Sequence, residues 1–96
     1  MGLHTYFELV TNDASATQTL PEAVVAVDQV LLTEGGATAT TVETLTVVQG
    51  APAAGQAQFT GTCATPSNAV VLSAAPAAAG KLVVRAVLPG AIPTYR

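Results

Sequence analysis

The stretch Leu3–Val10, LHTYFELV, alternates its side chains in a way that decides the fold class. Alternate residues share one face of an extended chain, and the less polar set is Leu3, Thr5, Phe7 and Leu9. The residues between them form the more polar set, which is His4, Tyr6 and Glu8. A period of two is typical of a β-strand that turns one face to a core and the other to water.

Further strands are predicted from alternation or from apolar runs between turn signals, and the abundance of Thr and Val supports them because branching at Cβ fits a pleated surface. In chain order the predicted segments are 23–33, 42–48, 57–62, 69–73 and 81–88. Segment 23–33 is apolar on both faces around Asp28 and Gln29, so a long central strand, a bulged strand and a short helix remain open, with a strand favoured. About six strands separated by turn signals predict an all-β fold, a small antiparallel sandwich or barrel.

The length of 96 residues predicts a single β domain over residues 1–96. A chain of this size buries only about 60–65% of its unfolded surface, so assembly with other proteins would add stability. The N-terminal arm and the tail 89–96 are candidate partner-binding segments. Ile92, Tyr95 and Arg96 are residue types that anchor in a neighbouring protein.

The charge content excludes several classes of partner. Charged residues make up 9% of the chain, against about 25% in typical soluble domains. The net charge is −3, and the positive side chains are Lys81, Arg85 and Arg96, which argues against nucleic acid. No apolar stretch approaches the ~18 residues that span a bilayer, so we expect no membrane segment. Residues 1–10 lack the basic and apolar regions of a secretory signal.

The side chains that carry most enzyme chemistry are scarce. His4 is the single His and Cys63 the single Cys, and the acids are spread singly along the chain. A nucleophilic triad or a metal site needs several such groups close together. We therefore predict no catalytic, metal or cofactor residue and no enzyme activity. Cys63 has no basic neighbour, so it is expected to be a buried filler, and the compartment is expected to be reducing.

Charges of opposite sign are segregated along the chain. All six acids precede residue 44 and all three bases follow residue 80. One hypothesis is a head-to-tail contact, in which the basic end of one copy meets the acidic part of a neighbour. The alternative is that the segregation disappears in space once the strands pair.

Two segments share the order strand, Ala-Pro-Ala-Ala, Gly and strand, and they are 47–56 and 71–81. The pattern predicts the same hairpin twice, with Pro fixing φ at the start of the turn and Gly permitting a positive φ. The loops, which contain Pro52 and Pro76, are either ordinary hairpin loops or projecting contact loops.

Segment 67–85, SNAVVLSAAPAAAGKLVVR, resembles the Val-rich hairpins joined by Ala-Pro-Ala-Gly turns in virion proteins of tailed bacteriophages. The resemblance covers about a fifth of the chain and carries over no functional residue. It implies a structural role, most like that of small head decoration (cement) proteins. Those proteins bind the outer surface of the capsid lattice and brace it. The implied location is the virion, after synthesis in the host cytoplasm.

These observations predict a non-enzymatic protein that stabilises a capsid through its termini and strand edges. The expected partners are the major capsid protein or other virion proteins, and further copies of the chain, with a trimer among the options. A tail or head–tail connector component is the alternative. A carbohydrate- or ligand-binding β module is a distant third, because it needs a free aromatic for stacking. The candidate partner contacts are Leu3, Tyr6, Pro52, Pro76, Arg85, Ile92, Pro93, Tyr95 and Arg96.

Overall fold

A computed structural model describes residues 3–35 and 41–89, which form seven strands and no helix. The strands are β1 (Leu3–Val10), β2 (Thr17–Val24), β3 (Ala26–Thr33), β4 (Glu43–Val48), β5 (Gln56–Gln58), β6 (Ser67–Leu72) and β7 (Lys81–Leu88). The predicted all-β class is therefore confirmed, with seven strands where about six were expected.

The strands form one sheet in the order β1-β7-β3-β4-β5-β6-β2, which curls into a nearly closed, barrel-like structure. Neighbouring strands are antiparallel except β4 and β5, which run parallel. Strand β4 is shared between two halves of the sheet. Its first three residues, Glu43–Leu45, pair with β3, and its last three, Thr46–Val48, pair with β5. One half is thus β1-β7-β3-β4 and the other is β4-β5-β6-β2.

The sequence prediction missed β2. The predicted segment 23–33 contains the end of β2, a bend at Val25 and all of β3. The bend is held by the Val25 N–H, which donates to the Val87 carbonyl at 2.9 Å. Strand β2 is hard to recognise because one of its buried positions is taken by a polar residue, Gln18, and because Pro21 interrupts it.

Strand β3 contains a β-bulge at Asp28, which was one of the open alternatives for this segment. Its register against β7 shifts between the pairs Val27–Ala86 and Gln29–Arg85. The extra residue leaves Asp28 without a partner position on β7 and strengthens the local twist. The long run is therefore an irregular strand and not a helix.

The core lies between the two halves of the sheet. In β7 the alternate residues Leu82, Val84 and Ala86 are fully buried, and Leu88 is partly buried. The buried apolar residues are Leu20, Val24, Val30, Leu32, Leu45, Ala57, Phe59, Val70, Leu72, Leu82, Val84 and Ala86. Phe7 and Leu9 of β1 pack against this cluster but remain partly exposed.

The predicted pair of hairpins is wrong. The first loop joins two parallel strands, β4 and β5, and the second joins β6 to β7, which lie in different halves of the sheet. Pro and Gly do mark loops here, and Gly55 has the expected positive φ of 82°, whereas Gly80 of the second loop does not have a positive φ. The residues of a turn do not determine which strands pair. The pairing is determined by burial of the apolar strand faces, which come from segments far apart in the sequence.

The loop that contains Pro76 is hydrogen-bonded to other parts of the chain. The Ala77 N–H donates to Oε1 of Glu34 at 2.9 Å, and the Gly80 N–H donates to Oγ1 of Thr11 at 2.7 Å. The Thr11 N–H in turn donates to the Gly80 carbonyl at 2.9 Å. Pro76 is buried, so this loop is part of the domain's own packing.

Candidate interaction surface

The outer face of β1, β7 and β3, which points away from the core, carries both of the basic residues that the structure describes. It is a set of exposed and half-exposed side chains on three adjacent strands. We call it the Tyr6–Arg85 face, and it comprises His4, Tyr6, Glu8, Asp28, Gln29, Leu31, Thr33, Lys81, Val83, Arg85 and Val87.

Tyr6 and Arg85 lie at the centre of this face. Alternation in β1 turns Tyr6 outward, and it is 63% exposed. The antiparallel register of β1 and β7 places Arg85 directly opposite Tyr6. Tyr and Arg are enriched at protein–protein contacts because they combine apolar area with polar ends. Two of the predicted contact residues are therefore brought together, on strands distant in the sequence.

The carboxylate of Asp28, at the bulge in β3, contacts two other side chains of the face. Oδ2 of Asp28 lies 2.8 Å from Nε2 of His4 and 3.8 Å from Nε of Arg85. Bulges reorient a side chain out of the regular pleat, and here the reoriented carboxylate links residues of three strands. The sequence analysis placed His4 on the more polar face of the first strand and assigned Asp28 no contact with it. The sequence signal for this role of Asp28 was that a single acid lies within an otherwise mostly apolar run.

A second ion pair lies farther along the same face. Nζ of Lys81 is 3.6 Å from Oε2 of Glu8, and both side chains are more than half exposed. A pair this exposed adds little stability. Lys81 and Arg85 each approach an acid of the same chain, so the segregation of these charges along the sequence disappears in the fold. The head-to-tail hypothesis loses its support from these two residues.

Apolar side chains fill the space between the charges. Val83, Val87 and Leu31 are half-buried on the outer surface. At the end of β1, Val10 is 77% exposed and borders a groove of about 370 Å³. The described residues that line this groove include no aromatic side chain that could stack on a sugar. The face is thus a mixed apolar and charged surface on a regular sheet.

The other predicted contacts are scattered. Leu3 belongs to β1, where its backbone pairs with Leu88. Pro52 is half-buried in the β4–β5 loop, and Pro76 is buried, so its ring offers little surface to a partner. Four predicted contacts lie outside the described residues, namely Ile92, Pro93, Tyr95 and Arg96.

Cys63 is exposed, so its expected burial is wrong. It lies in a turn in which the Thr62 N–H donates to the Thr65 carbonyl and the Thr65 N–H donates to Oγ1 of Thr62, both at 3.0 Å. These bonds close the turn without help from the Cys63 side chain.

Within residues 3–35 and 41–89, no group of three or more His, Cys, Asp or Glu side chains could hold a metal ion. Over the same residues we find no helix with the length and apolar character needed to cross a bilayer.

Compared with protein-family models, with curated proteins and with solved structures, the chain matches none of them significantly.

Proposed function

We propose that this protein is a structural, non-enzymatic component of a virion that binds the outer surface of a capsid lattice and stabilises it. The observation that carries the proposal is the Tyr6–Arg85 face. It presents an exposed Tyr beside an Arg whose charge is already paired with Asp28 inside the chain. Such a pre-arranged surface binds a partner with little loss of side-chain freedom.

The size of the face favours a repetitive partner. Three strands of eight residues span about 14 Å by 27 Å, which is on the order of 400 Å². A stable one-to-one complex usually buries about 800 Å² per partner. One such face therefore makes a weak contact by itself. A lattice of identical subunits offsets this weakness because it presents the same site many times and admits additional contacts.

The composition supports the same role. With 9% charged residues, the domain has few charges that a contact with a partner would remove from water. The major capsid protein is the proposed partner of the Tyr6–Arg85 face, with other virion proteins adjoining. The segment 89–96 and the loop around Pro52 are proposed as further contacts. The proposed location is the virion.

Co-sedimentation tests this proposal. Purified protein is mixed with empty, expanded capsids assembled from the major capsid protein of the same phage genome, and the bound fraction is measured. We expect saturable binding, and at least about a tenfold loss of affinity for Arg85→Ala, since removal of a central Arg contact costs about 2 kcal/mol. Thr19→Ala is the matched control, because Thr19 is exposed on β2, away from this face. Binding only to isolated tails or connectors would favour the connector role, and equal binding by both variants would contradict use of this face.

A further inference from the structure

Within residues 3–35 and 41–89, strand β1 forms one edge of the sheet. The strand order of this part of the chain ends at β1 on one side and at β2 on the other, and there β1 is hydrogen-bonded only to β7. None of the residues 4–10 is buried, whereas three residues of β7 are fully buried. Phe7 and Leu9 face the core and still remain partly exposed. A further strand beside β1 would complete their cover.

The two edges of the sheet differ in how they are protected. Strand β2 contains Pro21, which has no N–H to donate, and its register against β6 is interrupted between Thr19 and Val24. Proline and bulges are the usual devices that prevent edge-to-edge pairing. Strand β1 has neither device, because all eight of its residues pair with β7 without a shift. The unprotected edge is therefore β1.

The hydrogen bonds around β1 show which backbone groups are free. The Thr11 N–H donates to the Gly80 carbonyl in the register that β1 and β7 share. Hydrogen-bonded pairs alternate along an antiparallel ladder, so the odd-numbered residues of β1 bond to β7. The even-numbered residues, among them His4, Tyr6 and Glu8, therefore direct their N–H and C=O groups to the open edge.

We propose that β1 pairs with β1 of a second copy of this chain, antiparallel, about a two-fold axis that passes through the Tyr6 position perpendicular to the sheet. In this register Tyr6 lies opposite Tyr6 of the second copy, and His4 lies opposite Glu8 of the second copy. Each of these pairs unites residues with free backbone groups. The three pairs would exchange about six hydrogen bonds, two per pair.

The side chains of β1 are complementary to themselves in this register. His4 and Glu8 carry opposite charges when the imidazole is protonated. Asp28 engages Nε2 of His4, which leaves Nδ1 on the same ring for the carboxylate of the second copy. On the core side, Thr5 lies opposite Phe7 of the second copy and covers its exposed edge. Opposite charges and aromatic pairs directly across two strands each contribute to sheet stability.

This inference goes beyond the proposed function, because it concerns the backbone edge of β1, although the side chains of His4, Tyr6 and Glu8 also belong to the Tyr6–Arg85 face. It also replaces the trimer considered from the sequence with an isologous dimer, in which the same strand serves both subunits. Failure of either proposal leaves the other intact, since dimer formation is measured on the free protein and capsid binding responds to Arg85.

Two measurements on the purified chain test the pairing. Sedimentation equilibrium should give twice the 9.6 kDa chain mass for the natural protein. Tyr6→Lys places two like charges opposite each other and should weaken the dimer about fivefold or more. Thr19→Lys, at an exposed position on the other edge, should leave the dimer intact. Far-UV circular dichroism should show all three proteins equally folded.

Cross-linking tests the register itself. Hydrogen-bonded partners have Cα atoms about 5.5 Å apart, a distance that suits a disulfide. With Cys63→Ser to remove the natural thiol, Tyr6→Cys should form a covalent dimer with oxidised glutathione, whereas Glu8→Cys should not. A chain that remains monomeric or forms trimers, a Tyr6→Lys dimer of undiminished affinity, or equal cross-linking of the two Cys variants would overturn the proposal.

Discussion

Asp28 and His4 are joined across the outer face of the sheet, with Oδ2 of Asp28 lying 2.8 Å from Nε2 of His4. The contact exists because a bulge in β3 removes Asp28 from the regular pairing with β7. The same oxygen lies 3.8 Å from Nε of Arg85, so one acid serves two basic side chains. The arrangement orders the Tyr6–Arg85 face more than it stabilises the fold, since all three side chains remain partly exposed.

Replacement of Asp28 by Ala should therefore have a small effect on stability. We expect the free energy of unfolding to fall by less than about 1 kcal/mol, because exposed ion pairs are screened by water. Urea denaturation followed by circular dichroism measures this change. Asp13→Ala, in an exposed turn, is the control and should have no effect. A loss of several kcal/mol would show that the bulge depends on its acid for folding.

Gly80 should tolerate no side chain. A Cβ at this position would overlap the Thr33 carbonyl and lie 2.6 Å from the Gly35 nitrogen, which are backbone atoms that cannot move aside cheaply. We expect Gly80→Ala to cost more than about 2 kcal/mol of unfolding free energy. Gly50→Ala is the matched control because a Cβ there meets no atom within 4 Å. Equal stability of the two variants would contradict the close packing of these loops.

The stability of the fold should depend on the side-chain amide of Gln18. Its buried side chain accepts from the Asn12 N–H at 2.6 Å, and its Nε2 donates to the carbonyls of Asn12 and Ser15 at 3.0 and 2.9 Å. Gln18→Glu removes both donated bonds and brings a carboxylate toward two carbonyl oxygens. We expect a loss of about 2–3 kcal/mol in urea denaturation at neutral pH. Gln49→Glu, at an exposed position, should leave the midpoint unchanged.

Cys63 should react as an accessible thiol. Its side chain is exposed in a turn closed by Thr62 and Thr65. In a titration with a chromogenic disulfide reagent, the native protein should release as much chromophore as the urea-unfolded protein, and at a similar rate. Cys63→Ser should leave the unfolding curve unchanged. A thiol that becomes reactive only in urea would contradict the exposed position.

The regular strands could be predicted from local patterns. Alternation identified β1 with the correct inner and outer faces, and the segment 81–88, predicted to end before Pro89 and Gly90, has the observed bounds of β7, Lys81–Leu88. It failed for β2, where Gln18 takes a buried position that a pattern of apolar residues would not reveal. It also failed for the loops, since Pro and Gly mark a reversal without specifying which strands become neighbours.

The interaction surface was predictable only in part. Tyr6 and Arg85 could be chosen by residue type, but their opposition depends on the register of two strands that are far apart in the sequence. The position of Asp28 depends on a bulge, which sequence left open among three alternatives. Pro76 could not be recognised as buried, because its cover comes from long-range contacts such as the bond from Ala77 to Glu34.

The most direct measurement of the central claim is the melting temperature of empty, expanded capsids with and without this protein at saturation. A protein that binds the assembled lattice and not its dissociated subunits stabilises the lattice by mass action. We therefore expect the natural protein to raise the capsid melting temperature. Arg85→Ala, at the same concentration, should raise it less. A capsid melting temperature that does not change while the protein is present in excess would contradict a stabilising role on the lattice.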